Sequence, residues 1–325
     1  MFLSVVLFAI GLVLLIYGGD WFVDGATGIA KRFRLPDIVV GATVVSIGTT
    51  LPEVMVSTTG ALQGSGAMAY GNAIGSIICN TSLIAAISIV CNPGPVNTKS
   101  MKTPAIFFFL ASAIYCLAAY GMGTFPRWLG FIMLSVFAVY MFLTVRNGLR
   151  NPDTAASEEA EGEEKERKLW QELLLLVVGA AVIAVGADLL VEHGQIIAIE
   201  LGVPETVVAL LFVALGTSLP ELVTTITSLR KGRASLGVGN VIGANVFNLV
   251  LVSGVAVSLA PFEVPCENFL LDTGLNMSLV FEIPVMLGVM SLMTIPALLT
   301  KKLGRWQGIT LLCIYAAFCV CQFVL

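Results

Sequence analysis

Long apolar runs separated by short polar joints dominate the chain. Ten such runs lie near residues 2–19, 37–62, 68–91, 103–121, 127–146, 170–191, 205–229, 235–259, 278–299 and 306–324. Each is close to the ~20 apolar residues that a helix needs to cross a bilayer core. Inside this pattern one phrase occurs twice, as Gly48-Thr-Thr-Leu-Pro-Glu53 and, 168 residues later, as Gly216-Thr-Ser-Leu-Pro-Glu221. A second phrase follows each at equal distance, Gly71-Asn-Ala-Ile-Gly75 and Gly239-Asn-Val-Ile-Gly243, ending in Asn80 and Asn248. The register runs back to Gly18, Asp20 and Pro36 against Gly186, Asp188 and Pro204. Each unit therefore spans five helices, and because five is odd the second enters the membrane upside down. The expected fold class is all-α integral membrane, with ten transmembrane helices as two inverted five-helix repeats. The expected divisions are residues 1–150, a linker at 151–168, and residues 169–325.

Composition agrees with this reading. The chain is 57% hydrophobic and 12% charged, with mean hydropathy +0.95, which excludes a soluble two-domain protein. The first run lacks the basic leader and small-residue cleavage site of a signal peptide and is expected to remain as a span. With the N-terminus outside, 16 of the 17 Lys and Arg fall in one set of loops, and only Arg127 falls in the other. The positive-inside rule then places both termini outside and the basic loops in the cytoplasm. Much of the net charge of −4 comes from the linker, with Asp153, Glu158, Glu159, Glu161, Glu163, Glu164 and Glu166. That run reads as a solvated hinge, with a cation-attracting cytoplasmic patch as the alternative. Cys79, Cys91, Cys116, Cys313, Cys319 and Cys321 lie in or at the ends of spans and Cys266 in an outer loop, without metal-like spacing. His193 is expected exposed, in the outer loop after the sixth span. Asp20 and Asp188 are expected near helix ends in capping or packing roles.

The chemistry concentrates in the duplicated phrases. An ionised carboxylate in the middle of a span costs roughly 2.5–3.5 kcal/mol on insertion scales, and the chain carries this cost twice, at matched positions. Pro52 and Pro220 lack an amide proton and clash with the carbonyl four residues earlier, so both helices are expected to break or kink there. Carbonyls of Gly48, Thr49, Gly216 and Thr217 would be freed, at a depth where loose backbone is tolerated only inside protein or a wet cavity. Thr50 and Ser218 add hydroxyls one turn before the glutamates. Two carboxylates with several neutral oxygens suit a hard divalent cation such as calcium, whereas softer metals would want His or Cys. Inverted repeats bind such substrates near the midplane, between the units. The glycines at 71, 75, 239 and 243 read first as close helix packing. That approach would bring Asn72, Ser76 and Asn80 towards Glu53, and Asn240, Asn245 and Asn248 towards Glu221.

At these residues the sequence resembles the calcium/cation antiporter superfamily, the sodium/calcium exchangers and their prokaryotic relatives, over nearly the whole chain. The resemblance implies a calcium site of Glu53, Glu221, Thr49 and Thr217. It implies sodium sites that add Thr50, Ser218, Ser76 and the carbonyls of Ser46 and Ala214, with Asn80 and Asn248 lining the centre. Three positions depart from symmetry or from the family. Ala244 stands opposite Ser76, and Ile77 opposite Asn245. Asn248 stands where many relatives carry the aspartate that the potassium-dependent branch resembles.

The activity implied is antiport, in which sodium entering down its gradient expels calcium by alternating access, with helices 1 and 6 moving against the core. Calcium/proton antiport through the same glutamates is the nearest alternative, followed by potassium-dependent exchange and, from another class, a passive cation channel. No enzyme motif is present. Calcium, sodium and the lipid bilayer are the expected partners, with no cofactor, nucleic acid or obligatory protein partner. A prokaryotic plasma (inner) membrane is the expected location.

Overall fold

The computed structural model describes residues 2–150, 167–201, 216–265 and 276–324. Most of the acidic linker, Pro204, Ala214 and Cys266 lie outside the described residues. Among the described residues, eight helices are long and apolar enough to cross a membrane. They are α1 (Phe2–Phe33), α2 (Asp37–Leu62), α3 (Gly66–Cys91), α4 (Thr98–Met122), α5 (Arg127–Arg150), α6 (Leu169–Glu200), α8 (Ala234–Leu259) and α9 (Ser278–Thr300). Between them α7 (Leu219–Arg230) is the described end of the seventh span, and α10 (Arg305–Val324) closes the chain. This is the expected ten-helix membrane fold of two inverted five-helix units.

Two short antiparallel ribbons display the inversion. β1 (Gly94–Pro95) pairs with β4 (Lys302–Leu303), and β2 (Thr124–Phe125) pairs with β3 (Phe262–Glu263). β1 and β3 occupy matched positions of the two repeats. β1 precedes α4 and β2 follows it, so about 37 Å of helix, 25 residues at ~1.5 Å each, separates the ribbons. Equivalent loops of the two halves thus meet at opposite ends of the bundle.

α1 and α6 pack chiefly against each other, through glycines that let their backbones approach. A methyl group on Gly25 would sit 2.6 Å from the Glu172 carbonyl oxygen, and one on Gly179 2.6 Å from the Phe22 nitrogen. The deepest burial lies in the core of α2, α3, α7 and α8, where α8 is the most enclosed of the described spans. Both α1 and α6 extend well past the apolar runs at 2–19 and 170–191, so three expectations are corrected. Asp20 and Asp188 lie inside helices rather than near their ends, and His193 is half-buried within α6 rather than exposed in a loop.

Ion pairs at one end of the bundle explain how α1 carries acids along its last turns. Arg32 meets Glu172 at 3.2 Å, joining α1 to α6. Arg233, just before α8, meets Asp37 of α2 at 3.2 Å, joining two core helices. Lys231, in the turn between α7 and α8, reaches Asp24 and, at 3.5 Å, Asp20, so it bridges the core to α1. The Arg233–Asp37 pair is the most buried, with side chains 10% and 4% exposed. Breaking a buried pair strands a charge at a cost of about 3–5 kcal/mol. Arg233→Met should therefore lower the melting temperature in detergent markedly, and adding Asp37→Leu should recover most of the loss. Equal melting of Arg233→Met and wild type would show that the pair is not a structural tie.

Candidate functional site

The two copies of the duplicated phrase adopt different backbones. At Pro220 the expected break is present. Thr217 and Ser218 form a turn, Ser218 has φ −89° and ψ 3°, and α7 begins at Leu219 with its proline in the first turn. At Pro52 it is not. The helix Ser46–Leu62 runs through the proline, and the irregularity lies upstream as a π-helical turn at Gly41–Val45. The missing Pro52 amide removes one intrahelical bond, that to the Gly48 carbonyl, without ending the helix. Matched π-helical turns also open at Asn80 in α3 and at Asn248 in α8. Spacing gave no hint of these, although such turns occur often at functional sites.

Glu53 and Glu221 are completely buried and close enough to feel each other's charge. The Thr50 hydroxyl of α2 lies 3.5 Å from Oε1 of Glu221, so the first repeat reaches the second repeat's carboxylate. Glu53 Oε1 and Oε2, Glu221 Oε2, Ser218 Oγ and both amide atoms of Asn80 and Asn248 have no hydrogen-bond partner among the described residues. Buried polar atoms are normally paired, and leaving one unpaired costs about 1–3 kcal/mol, more for a charge. Three of the four carboxylate oxygens are among them, so the glutamates are the buried charges that the described protein groups leave most poorly satisfied. No group of three or more His, Cys, Asp or Glu placed to hold a metal occurs among the described residues, and Thr50, the hydroxyl seen against Glu221, offers a neutral oxygen of the kind hard cations accept.

Around this centre the threonines cross between repeats. Thr49 donates to Asn240 Oδ1 at 3.1 Å, and the matched Thr217 donates to Asn72 Oδ1 at 3.2 Å. Asn72 donates in turn to the Glu53 carbonyl at 3.2 Å and to Ser57 Oγ at 2.8 Å. Asn240 donates to Thr224 Oγ1 at 2.9 Å, and Thr224 donates to the Pro220 carbonyl at 2.9 Å. The Ser46 hydroxyl lies 2.8 Å from the Gly41 carbonyl and 2.9 Å from that of Asn240.

The structure brings Glu53, Glu221, Thr49, Thr50, Thr217, Ser218, Ser46, Asn80 and Asn248 into the region between α2, α3, α7 and α8. Ser76 is buried on α3, and Ala214 lies outside the described residues. Asn72 meets Glu53 as expected, though at its backbone carbonyl, and Asn240 bonds Thr224, which itself donates to the Glu221 carbonyl. One expectation is corrected. Asn245 donates to Thr81 Oγ1 at 2.7 Å and to Met290 Sδ at 3.2 Å, away from Glu221. The glycine packing is also one-sided. A methyl group on Gly239 would sit 2.3 Å from the Ile38 carbonyl oxygen and one on Gly243 2.4 Å from Ser46 Oγ, but Gly71 and Gly75 have nothing within 4 Å among the described residues.

Inverted helical repeats around a buried acidic centre are the architecture of a membrane cation transporter. The family model described as sodium/calcium exchanger protein matches residues 3–146 and 172–324, and the chain belongs to that family. Among curated relatives, the sodium/calcium exchanger MaX1 of Methanosarcina acetivorans is 29% identical, over 97% of both chains. The inner membrane protein YrbG of Escherichia coli K12 is 31% identical, over 81% of this chain and 82% of its own. A solved structure of the sodium-calcium exchanger NCX_Mj, soaked with 2.5 mM Na+ and 10 mM Sr2+, superposes with a TM-score of 0.79 at 32% identity. It covers 97% of each chain.

Proposed function

We propose that this multi-pass membrane antiporter exchanges sodium for calcium at one centre shared by its two repeats, with Glu53 and Glu221 as the charged ligands. The observation that carries this reading is the buried carboxylate pair with three of its four oxygens unpartnered. Two buried negative charges require about two positive ones, which one calcium or two sodium ions supply, so the ions compete. Carbonyls of Thr49 and Thr217 complete the calcium shell. Hydroxyls of Thr50, Ser218 and Ser76, with carbonyls of Ser46 and Ala214, serve sodium, and Asn80 and Asn248 line the centre.

The repeats are the functional units, residues 1–150 and 169–325, joined by the linker 151–168. The basic loops and the linker face the cytoplasm of a prokaryotic cell, both termini lie outside, and the protein sits in the inner membrane. Sodium entry drives calcium out. Alternating access comes from movement of the α1–α6 pair over the core. The pair packs chiefly against itself, which supports this motion, and the Lys231 bridge to Asp20 and Asp24 would have to yield or follow as the pair moves.

Protons remain a competing counter-ion because Ala244, the buried counterpart of Ser76, brings no side-chain hydroxyl to its sodium position. Proteoliposomes loaded with sodium and diluted into sodium-free buffer should accumulate radiocalcium, and matched vesicles carrying potassium or a proton gradient should not. Uptake that follows the proton gradient instead would make Glu53 and Glu221 proton carriers. Uptake with no counter-ion would indicate a channel.

A further inference from the structure

Amide oxygen and nitrogen are ordinarily assigned rather than seen, but here the surroundings fix them. The nitrogen of Asn72 faces the Glu53 carbonyl, which can only accept. Its oxygen must therefore face Thr217, whose hydroxyl has to donate. Thr224 spends its proton on the carbonyls of Pro220, at 2.9 Å, and Glu221, at 3.1 Å. It can therefore only accept from Asn240, which turns the Asn240 oxygen towards Thr49. Each threonine's one proton is thus held by an asparagine of the opposite repeat.

We infer that Asn72 and Asn240 are positioning residues: each takes the hydroxyl proton of the opposite repeat's threonine, which keeps that proton off the carboxylates and fixes the threonine whose carbonyl serves the cation. The inference rests on the proposed cation centre. It assigns to this pair a task that the carboxylates cannot perform. A free threonine hydroxyl would give its proton to a neighbouring carboxylate and compete with the cation for that oxygen. The matched bonds also tie the two halves together: α2 holds α8 through Thr49–Asn240, and the turn before α7 holds α3 through Thr217–Asn72.

The test is a pair of double-mutant cycles read as the half-saturating calcium concentration of sodium-driven uptake and of equilibrium binding. Asn240→Leu and Thr49→Val should each raise it about tenfold, and the double variant should be no worse than about tenfold, because the two lie on one path. Asn240→Leu with Thr217→Val, which share no bond, should multiply towards a hundredfold. Thr49→Ser, which keeps the hydroxyl, should stay near wild type. The mirror cycle of Asn72 with Thr217 should behave alike and serves if Asn240→Leu does not fold. If neither asparagine variant folds, equal calcium affinities for Thr49→Val and Thr49→Ser overturn the inference. So would full additivity of Asn240→Leu with Thr49→Val, or an unchanged affinity in Asn240→Leu. Glu53→Gln and Glu221→Gln separate the two ideas. Calcium binding retained in both overturns the centre itself, whereas binding lost there with additive asparagine cycles overturns only the positioning role.

Discussion

Glu53→Gln is expected to abolish sodium-driven calcium uptake, and Glu221→Gln to do the same, with both proteins remaining folded. Glutamine preserves size and shape, so the loss is one of charge. At an effective dielectric near 20, a unit pair about 4 Å apart is worth roughly 4 kcal/mol, and a divalent ion feels twice that. Even a fraction of this weakens calcium more than a hundredfold, at about 1.4 kcal/mol per factor of ten. The cation-free protein should respond in the opposite sense. Two buried carboxylates within reach of each other's charge repel, and Glu53 carries two unpartnered oxygens. Removing one charge should leave the calcium-free melting temperature unchanged or raised. The calcium-induced rise in melting, which follows from binding to the native state alone, should disappear. Thermal melts with and without calcium, beside vesicle uptake, check both halves. A variant that melts lower without calcium, or that still transports at a substantial rate, would contradict the assignment.

The second large effect is steric. Gly243→Ala should prevent recovery of a folded, monodisperse protein, whereas Gly71→Ala in the matched phrase should be tolerated. A methyl group on Gly243 would lie 2.4 Å from Ser46 Oγ, 2.6 Å from Ala42 Cα and 2.7 Å from the Ala42 carbonyl oxygen. Two of these atoms are backbone, so no rotamer relieves the clash. α8 would have to withdraw from α2, taking Asn240 away from Thr49 and Ser46. Overpacking costs typically about 1–3 kcal/mol where side chains can adjust, and here they cannot. Gly71 is exposed, and a methyl group there would meet nothing within 4 Å among the described residues. Size-exclusion profiles and melting curves of the two variants settle the comparison, and equal behaviour would show that the glycine packing is symmetric after all.

That asymmetry marks the boundary of what the sequence discloses. Span count, inversion and the carboxylate pair were legible because each leaves a one-dimensional trace: apolar length, an odd number of helices per repeat, and a charge that hydrocarbon does not accept. Repetition of the phrase carried the site, since a costly buried charge kept at both matched positions points to a task the two glutamates share. Other features depend on partners that a linear pattern does not display. Asp20 looked like the end of a span, yet α1 continues through it and Asp24, where Lys231, more than 200 residues away, meets both from the α7–α8 turn. Pro52 and Pro220 have identical local sequences, Leu-Pro-Glu, but only Pro220 stands at a helix start. Local sequence alone therefore does not decide whether a proline sits inside a helix or begins one.

The asparagines illustrate the same limit within the centre. Four conspicuous amides, Asn72, Asn80, Asn240 and Asn248, recur in register, and spacing alone gives them one role. The structure divides them in two. Asn80 and Asn248 open π-helical turns and keep unpartnered amides, whereas Asn72 and Asn240 donate within their own repeats and accept from a threonine of the other. Hydrogen-bond direction is set by neighbours in space, and for the amide oxygens those neighbours come from the other repeat.

The central claim is that calcium and sodium share one carboxylate pair, and equilibrium binding of radiocalcium to purified protein at increasing sodium tests it most directly. The account predicts calcium that sodium displaces competitively, the apparent calcium affinity falling steadily as sodium rises, and no such binding in Glu53→Gln or Glu221→Gln. Calcium held undiminished at saturating sodium, or bound equally well by both glutamine variants, would contradict it.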